Sequence, residues 1–397
     1  MKILQINATY GRGSTGTIVK DIMTLCEKRG IECFVAYGAG GKENDKYLYY
    51  IGNPVVEKFH ALWTRLIGRQ AYASWFSTWR FLHYLDRIQP DVVQLHNLHS
   101  NYINLRMLLR YLAKKDIKTV VTLHDCWFYT GGCSHYVQYG CERWKVACGD
   151  CPAKRGIPSW AFDGSSHVIA DRRKYFRRIP RLVVTGVSEW IRSEAVSGIF
   201  AGVESYTIYN GIDLSVFKPI EVPRHKRIQN LLKQTAGRKI ILGPASKWFL
   251  PENKQTLDYF VANMTKDEVL VIFGCESFRE GLSEKVIQFG FTTDREELAE
   301  LYSLAAVFVN CTRAESLSLI NVEAQACGTP VVTYDGTGVQ ETVDEKCGFA
   351  VRSGDHEQLF KTTQEVLAQG KQSELCRNWV ASKFEVNSNY EQYLKLY

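Results

Sequence analysis

Glu315 and Glu323 stand eight residues apart in Glu-Ser-Leu-Ser-Leu-Ile-Asn-Val-Glu, followed at once by Ala-Gln-Ala-Cys-Gly-Thr-Pro-Val-Val from Ala324 to Val332. The run Val307 to Asn310 reads as a strand. A helix starting near Ser316 would then leave the N–H groups of Ser316, Leu317, Ser318 and Leu319 without intrahelical partners. Such a helix start suits a diphosphate, because its amides and its dipole favour negative charge. Two helical turns would set the carboxylates on broadly one side, about 12 Å apart along the axis. Carboxylates repel phosphate, so their natural partners are sugar hydroxyls at either end of it.

These groups need a scaffold, and the apolar runs supply one. Val92 to Leu95, Thr119 to Leu123, Val183 to Val187, Ile240 to Leu242, Val269 to Phe273 and Val331 to Thr333 alternate with glycine turns and helical stretches in both halves. That repetition predicts an α/β protein of two doubly wound parallel sheets. A chain of 397 residues exceeds what one core covers, so two domains are expected. We place them at 1–210 and 217–378, joined by Asn210-Gly-Ile-Asp-Leu-Ser-Val-Phe-Lys-Pro219, where glycine and proline punctuate an irregular segment. Residues 379–397 should form a C-terminal helix that crosses back to the first domain, with Tyr390, Tyr393 and Tyr397 at helical spacing. Ligands collect beyond the carboxyl ends of open parallel sheets, so two facing sheets predict an interdomain cleft. Hydrophobic content of 45% and charged content of 23% are those of a globular protein. With no run of about 18 apolar residues and no signal-peptide core, a cytoplasmic enzyme is expected.

The carboxylate block resembles the Glu-x7-Glu signature of retaining GT-B glycosyltransferases of family 4. Further landmarks follow in family order: the opening Met1-Lys-Ile-Leu-Gln-Ile-Asn with its glycine loop, Thr122-Leu-His-Asp-Cys-Trp127, Tyr209-Asn-Gly-Ile-Asp213 with Phe217, and Gly348-Phe-Ala-Val-Arg-Ser-Gly-Asp355. Enzymes of bacterial exopolysaccharide and colanic-acid-type assembly are the most similar in look. The resemblance implies two Rossmann-like domains, a nucleotide-sugar donor (a UDP- or GDP-sugar), a saccharide or lipid-linked saccharide acceptor, and retention of anomeric configuration.

It also implies roles. Glu315 would contact the donor sugar, Glu323 the ribose, and the amides of Ser316 to Leu319 the diphosphate. Fixed cations stabilise the charge that develops on a leaving diphosphate. Lys247 and Lys254, in Ala-Ser-Lys-Trp-Phe-Leu-Pro-Glu-Asn-Lys, occupy the place of the family's basic pair. Gln255 replaces the usual glycine and the first cation is displaced, so Lys254 is the firmer candidate of the two. No Asp-x-Asp, by which many other glycosyltransferases hold a divalent ion, occurs in the chain; catalysis independent of metal and cofactor is expected. In Ala8-Thr-Tyr-Gly-Arg-Gly-Ser-Thr-Gly16 the glycines let backbone approach a phosphate or sugar, with a helix from about Thr17. Gly13 and Ser14 are the contacts expected there. Gly11-x-Gly13-x-x-Gly16 with Glu32 also matches a dinucleotide fingerprint, but a nicotinamide enzyme leaves the carboxylate block unexplained. His124 would orient the sugar; His96 and His99 are weaker candidates on the acceptor side.

Two stretches carry separate expectations. Cys133, Cys141, Cys148 and Cys151 lie in an insert at about 126–160 that shapes the acceptor site. They could hold a structural tetrahedral zinc or be plain reduced thiols. Phe59 to Leu85 mixes Trp63, Trp75, Phe76 and Trp79 with Arg65, Arg69 and Arg80. That pattern suits peripheral contact with the inner face of a membrane, and equally two helices packed on the sheet. A net charge of +7 favours anionic partners, but no nucleic-acid module is present. The expected function is thus hexosyl transfer in bacterial surface polysaccharide synthesis. A GT-B sugar-nucleotide epimerase and a noncatalytic sugar-binding scaffold are the competing readings.

Overall fold

The computed structural model describes residues 1–155 and 159–397. Residues 156–158, which belong to the expected insert, lie outside the described residues. Strands β1 (Lys2–Thr9), β2 (Glu32–Ala39), β3 (Leu48–Tyr50), β4 (Val92–Leu95), β5 (Lys118–Leu123), β6 (Leu182–Gly186) and β7 (Glu204–Thr207) make one sheet, ordered β3-β2-β1-β4-β5-β6-β7. A second sheet contains β8 (Lys239–Pro244), β9 (Glu268–Cys275), β10 (Val286–Gly290), β11 (Val307–Asn310), β12 (Val331–Tyr334) and β13 (Gly348–Val351), ordered β10-β9-β8-β11-β12-β13. All pairings are parallel. Helices on both faces explain why these strands read as continuous apolar runs instead of alternating ones. In the second sheet Ile241, Leu270, Ile272, Val307 and Val309 pack with Trp248 and Phe260 as its core.

Chain order reverses once in each sheet, between β1 and β4 and between β8 and β11. Such a reversal leaves a crevice at the carboxyl ends of the two central strands, because their connections depart to opposite faces.

The chain divides into two compact units, Met1–Tyr209 with Tyr390–Tyr397, and Asn210–Asn389. The helix Ser373–Lys383 therefore stays with the second unit, and the return to the first begins at Tyr390 instead of Trp379. Arg377 holds it there: one guanidinium nitrogen donates to the carbonyls of Phe217 (3.0 Å) and Ala326 (3.1 Å), another to Leu214 (3.0 Å).

A polar seam runs through the first sheet, where buried amides and hydroxyls must find partners inside the protein. Gln94 Nε2 donates to Thr122 Oγ1 (2.9 Å), and Thr185 Oγ1 lies 2.9 Å from the same hydroxyl. The tail completes the seam. Tyr397 donates its hydroxyl to Gln94 Oε1, and Tyr393 sits fully buried beside Thr122 and Thr185. We expect Tyr393→Ala to destabilise the first unit by about 3–5 kcal/mol, through lost burial and a cavity over the sheet. A fall in its thermal or urea unfolding midpoint measures this; an unchanged midpoint would show that the tail is not part of that core.

Candidate active site

The second sheet brings together two residues that are far apart in sequence at its reversal point. After β8 the chain enters a short helix, Ala245–Trp248, which carries Lys247. After β11 it runs through a loop to Glu315. Lys247 Nζ lies 2.5 Å from Glu315 Oε1, both side chains about one-fifth exposed, 19% and 21%. Trp248 fixes the first turn by donating its indole N–H to the Val309 carbonyl at 3.0 Å. That contact requires Gly243: a Cβ there would lie 1.8 Å from the indole nitrogen. Asn253, fully buried, donates to the carbonyls of Lys247 (3.0 Å) and Cys311 (2.9 Å) and so ties the two strand ends together.

The helix expected from Ser316 begins at Leu319 and spans Leu319–Ala326. Asn310 is the reason. Its Nδ2 donates to Ser318 Oγ and Asn321 Oδ1, both at 2.9 Å, and its Oδ1 accepts from the Thr312 N–H at 3.2 Å. Ser316, Leu317 and Ser318 are thereby held as a loop across the strand end. Glu315 consequently stands before the helix, and the two glutamates do not share one helical side as expected. Glu315 Oε2 and Ser316 Oγ are buried without a hydrogen-bond partner among the described residues. Buried polar atoms are nearly always paired, so both are open to a ligand.

Glu323 has a different setting. Tyr302 donates to its Oε2 at 3.0 Å, and burial raises the carboxyl pKa to about 7 despite that bond and nearby Arg295. Lys254 opens the helix Lys254–Asn263, three-quarters exposed and paired with Asp258 at 2.5 Å. Of the two lysines, Lys247 is the one in contact with Glu315.

In the first unit the helix after β1 is Gly13–Lys28, starting before the expected Thr17. Gly16 packs so closely on Thr9 that a Cβ would lie 2.7 Å from its hydroxyl. Gly13 and Ser14 are exposed in the helix's first turn. His96 and His124, past β4 and β5, stack with ring centroids 5.2 Å apart, and His96 Nδ1 lies 2.9 Å from His124 Nε2. His96 Nε2 also contacts Gln5 Oε1 (3.1 Å), while Gln5 Nε2 donates to the Val19 carbonyl. This chain of donors sets the tautomers: His96 carries its proton on Nε2, His124 donates from Nε2, and His124 Nδ1 keeps its lone pair. Burial lowers the His124 pKa to about 4 and pushes that of His96 well below its ordinary value, so both are neutral at pH 7. A neutral His124 can orient a hydroxyl but is a poor general base.

Cys133, Cys141, Cys148 and Cys151 all line one small void in the insert. Among the described residues no group of three or more His, Cys, Asp or Glu side chains is placed to hold a metal ion. All four thiols are free, and the Cys133 thiol donates a hydrogen bond to Cys151. The insert has an aromatic core of its own. Trp144 is buried against Tyr129 (4.9 Å) and Tyr136 (5.0 Å), and the Arg172 guanidinium lies 3.8 Å from the Trp127 ring centre while donating to the Trp127 and Thr130 carbonyls.

Asn253, Asn310, Trp248 and Arg172 escaped sequence reading. Asparagines adjoining a strand end or a candidate cation were the available signal; Arg172, within Asp-Arg-Arg-Lys, offered none.

Comparison with known proteins places this geometry. The pattern of Glycosyltransferase Family 4 matches residues 15–216, half of the chain, and that of Glycosyl transferases group 1 matches 255–384. The chain belongs to glycosyltransferase family 4. This family 4 chain is 26% identical over 388 residues to WcaC of Escherichia coli (strain K12), which is named for a glycosyl transferase role in colanic acid biosynthesis, covering 93% of this chain and 92% of that one. Its fold matches sucrose-phosphate synthase from Thermosynechococcus elongatus (TM-score 0.68, 16% identity, 100% of this chain and 98% of that one). It also matches Anabaena Alr3699/HepE solved in complex with UDP-glucose (TM-score 0.63, 16% identity, 100% and 99%). The fold is GT-B.

Glu323 yields a pH prediction for the family 4 chain. Its folded-state pKa of about 7 exceeds the ordinary 4.5, so the folded protein binds the proton more tightly than the unfolded chain. Stability from this group is full below about pH 4.5 and falls as pH rises to about 7. Urea midpoints of the wild type and Glu323→Gln, measured from pH 5 to 8, should show a decline in the wild type that is smaller by about 1–3 kcal/mol in the variant. Parallel curves would refute the assignment.

Proposed function

We propose that this family 4 glycosyltransferase moves a hexose from a UDP- or GDP-sugar to a saccharide acceptor, lipid-linked, at the cytoplasmic face of the membrane during bacterial surface polysaccharide synthesis. Retention of anomeric configuration is part of the proposal. The Lys247–Glu315 pair at the ends of β8 and β11 carries this reading, because beside it Glu315 Oε2 and Ser316 Oγ are buried without partners.

A donor sugar supplies what that site lacks. Its hydroxyls donate to Glu315 Oε2 and bond Ser316, while the phosphates take the free amides of the loop and the start of the helix Leu319–Ala326. Once the donor's phosphates arrive, Lys247 has anionic partners besides Glu315. As the bond from the anomeric carbon to phosphate oxygen breaks, its electron pair stays with the diphosphate, while an acceptor hydroxyl oxygen bonds that carbon and passes its proton to the departing phosphate. Lys247 and Lys254 stabilise that charge, which makes catalysis independent of a divalent ion. Glu323 receives the ribose hydroxyls, and its half-ionised state at pH 7 strengthens as an acceptor when pH rises. Gly13, Ser14 and the neutral His124 serve the reacting sugar and the acceptor. A cavity of ≈ 300 Å³ beside His99, lined also by Gln70, His135 and Trp160, is the acceptor pocket of the first unit.

WcaC supports the polysaccharide role and the HepE complex the UDP-sugar donor. Among the described residues no helix is long and apolar enough to cross a membrane, so a lipid-linked acceptor has to be met at the surface.

Calorimetric titration with UDP, GDP, ADP and their sugar conjugates, with and without EDTA, tests the donor site. One nucleotide should bind selectively in both conditions; binding that requires a divalent ion would overturn metal independence, and no binding would overturn the donor site. Lys247→Ala and Lys254→Ala should each lower kcat about 10²–10³-fold, as loss of one preorganised charge partner does. Unchanged transfer in Lys247→Ala would remove its role.

A further inference from the structure

The helix Pro54–Ile67 is built inside out. Its fully buried residues are His60 and Thr64, both polar. His60 Nδ1 bonds Ser74 Oγ at 2.7 Å, its Nε2 accepts the Ala73 N–H at 3.2 Å, and Thr64 Oγ1 donates to Asn101 Oδ1 at 3.1 Å. The outward face holds Val55, Phe59, Leu62 and Leu66, spaced at i, i+4, i+7 and i+11, with Val55 77% exposed and the other three about half exposed. A helix covering a core shows the reverse arrangement. The following helix, Trp75–Ile88, adds exposed Trp75, Phe76 (63%) and Trp79. Ring contacts join Phe59 to Trp63 (6.4 Å) and Trp63 to Trp75 (5.8 Å) across the two helices, and Phe76 to Trp79 (5.9 Å) along the second.

Charge indicates what covers this face. From Lys58 to Leu85 the chain has four basic residues, Lys58, Arg65, Arg69 and Arg80, and no Asp or Glu. Trp63 and Trp75 also wall a cavity of ≈ 380 Å³ into which Arg69, Arg106 and Arg110 converge. Arg69 Nε is buried there without a hydrogen-bond partner among the described residues. Arg106 is only loosely engaged, 3.9 Å from Asp171 and 3.4 Å from the Tyr175 hydroxyl. Aromatic and aliphatic side chains beside a cluster of three arginines match the boundary of a bilayer, where acyl chains meet phosphate. A second copy of this chain would bring like charge to like charge.

We propose that the outer face of Pro54–Ile67 and Trp75–Ile88 docks on an anionic phospholipid bilayer, with the phosphate of a lipid headgroup held by Arg69, Arg106 and Arg110. This face enters the headgroup layer, and Lys58, Arg65 and Arg80 add attraction to the anionic surface. Docking stands on the first unit alone; its purpose, meeting a lipid-linked acceptor, rests on the transferase reading above.

Flotation of the full-length protein with vesicles tests the docking, using either phosphatidylcholine alone or a mixture with phosphatidylglycerol. The protein should float with the anionic vesicles, and bromine-labelled acyl chains should quench its tryptophan fluorescence. Phe59→Ser with Phe76→Ser, and separately Arg69→Ala with Arg110→Ala, should each weaken vesicle binding about tenfold or more. The apolar substitutions lie on exposed residues, and an unchanged unfolding midpoint confirms that they fold. Failure to float, equal binding to neutral vesicles, unaltered binding by both variants, or self-association through this face instead would overturn the proposal. Nucleotide titration of Phe59→Ser with Phe76→Ser separates the two readings: lost flotation with intact nucleotide binding leaves the donor site standing, and flotation without nucleotide binding leaves the docking face standing.

Discussion

A parallel strand covered by helices on both faces cannot present a side chain to a solute from its middle. Reactive groups must sit past the carboxyl end, and they can converge only where neighbouring connections part to opposite sides. This constraint organises both sheets. In the second it brings Lys247 from β8 and Glu315 from β11 to within 2.5 Å. In the first it stacks His96 from β4 on His124 from β5. Neither pair follows from sequence proximity, and both follow from strand order.

Holding a lysine and a glutamate in a partly desolvated place is costly unless their geometry is fixed and the surrounding polar atoms are satisfied. Here neutral side chains do the fixing. Asn253 bridges the two strand ends, Asn310 holds the loop that follows β11, and Asn321 is bonded in turn to Thr342 Oγ1 at 3.0 Å. Amides suit this work because they donate and accept without adding charge that would disturb the ion pair. Around the pair, Glu315 Oε2, Ser316 Oγ and Asn253 Oδ1 stay buried without a hydrogen-bond partner among the described residues.

The first unit uses the same economy of charge. His96 and His124 are kept neutral by burial, and their tautomers are settled through Gln5 by one main-chain carbonyl. Arg172 keeps its charge while buried because it stacks on Trp127 and donates to two carbonyls, which also anchors the long insert. Aromatic packing of Trp144 against Tyr129 and Tyr136 adds to that anchor.

Apolar runs bounded by glycine turns were enough for the sequence by itself to indicate two doubly wound parallel sheets, and the family landmarks to indicate the GT-B architecture. These are properties of short segments: burial on both sheet faces writes itself as unbroken Val, Ile and Leu. Tertiary structure alone decided that Lys247 and not Lys254 meets Glu315, that the helix starts at Leu319, and that Glu323 is half-buried and bonded by Tyr302. It alone decided that four cysteines line one void, and that Pro54–Ile67 turns its apolar stripe outward. A periodic pattern shows that a helix has two faces but not which one the sheet covers. That choice was made by partners distant in the chain, Ser74 and Asn101 for His60 and Thr64, just as Asn310 set the start of its helix from across a loop.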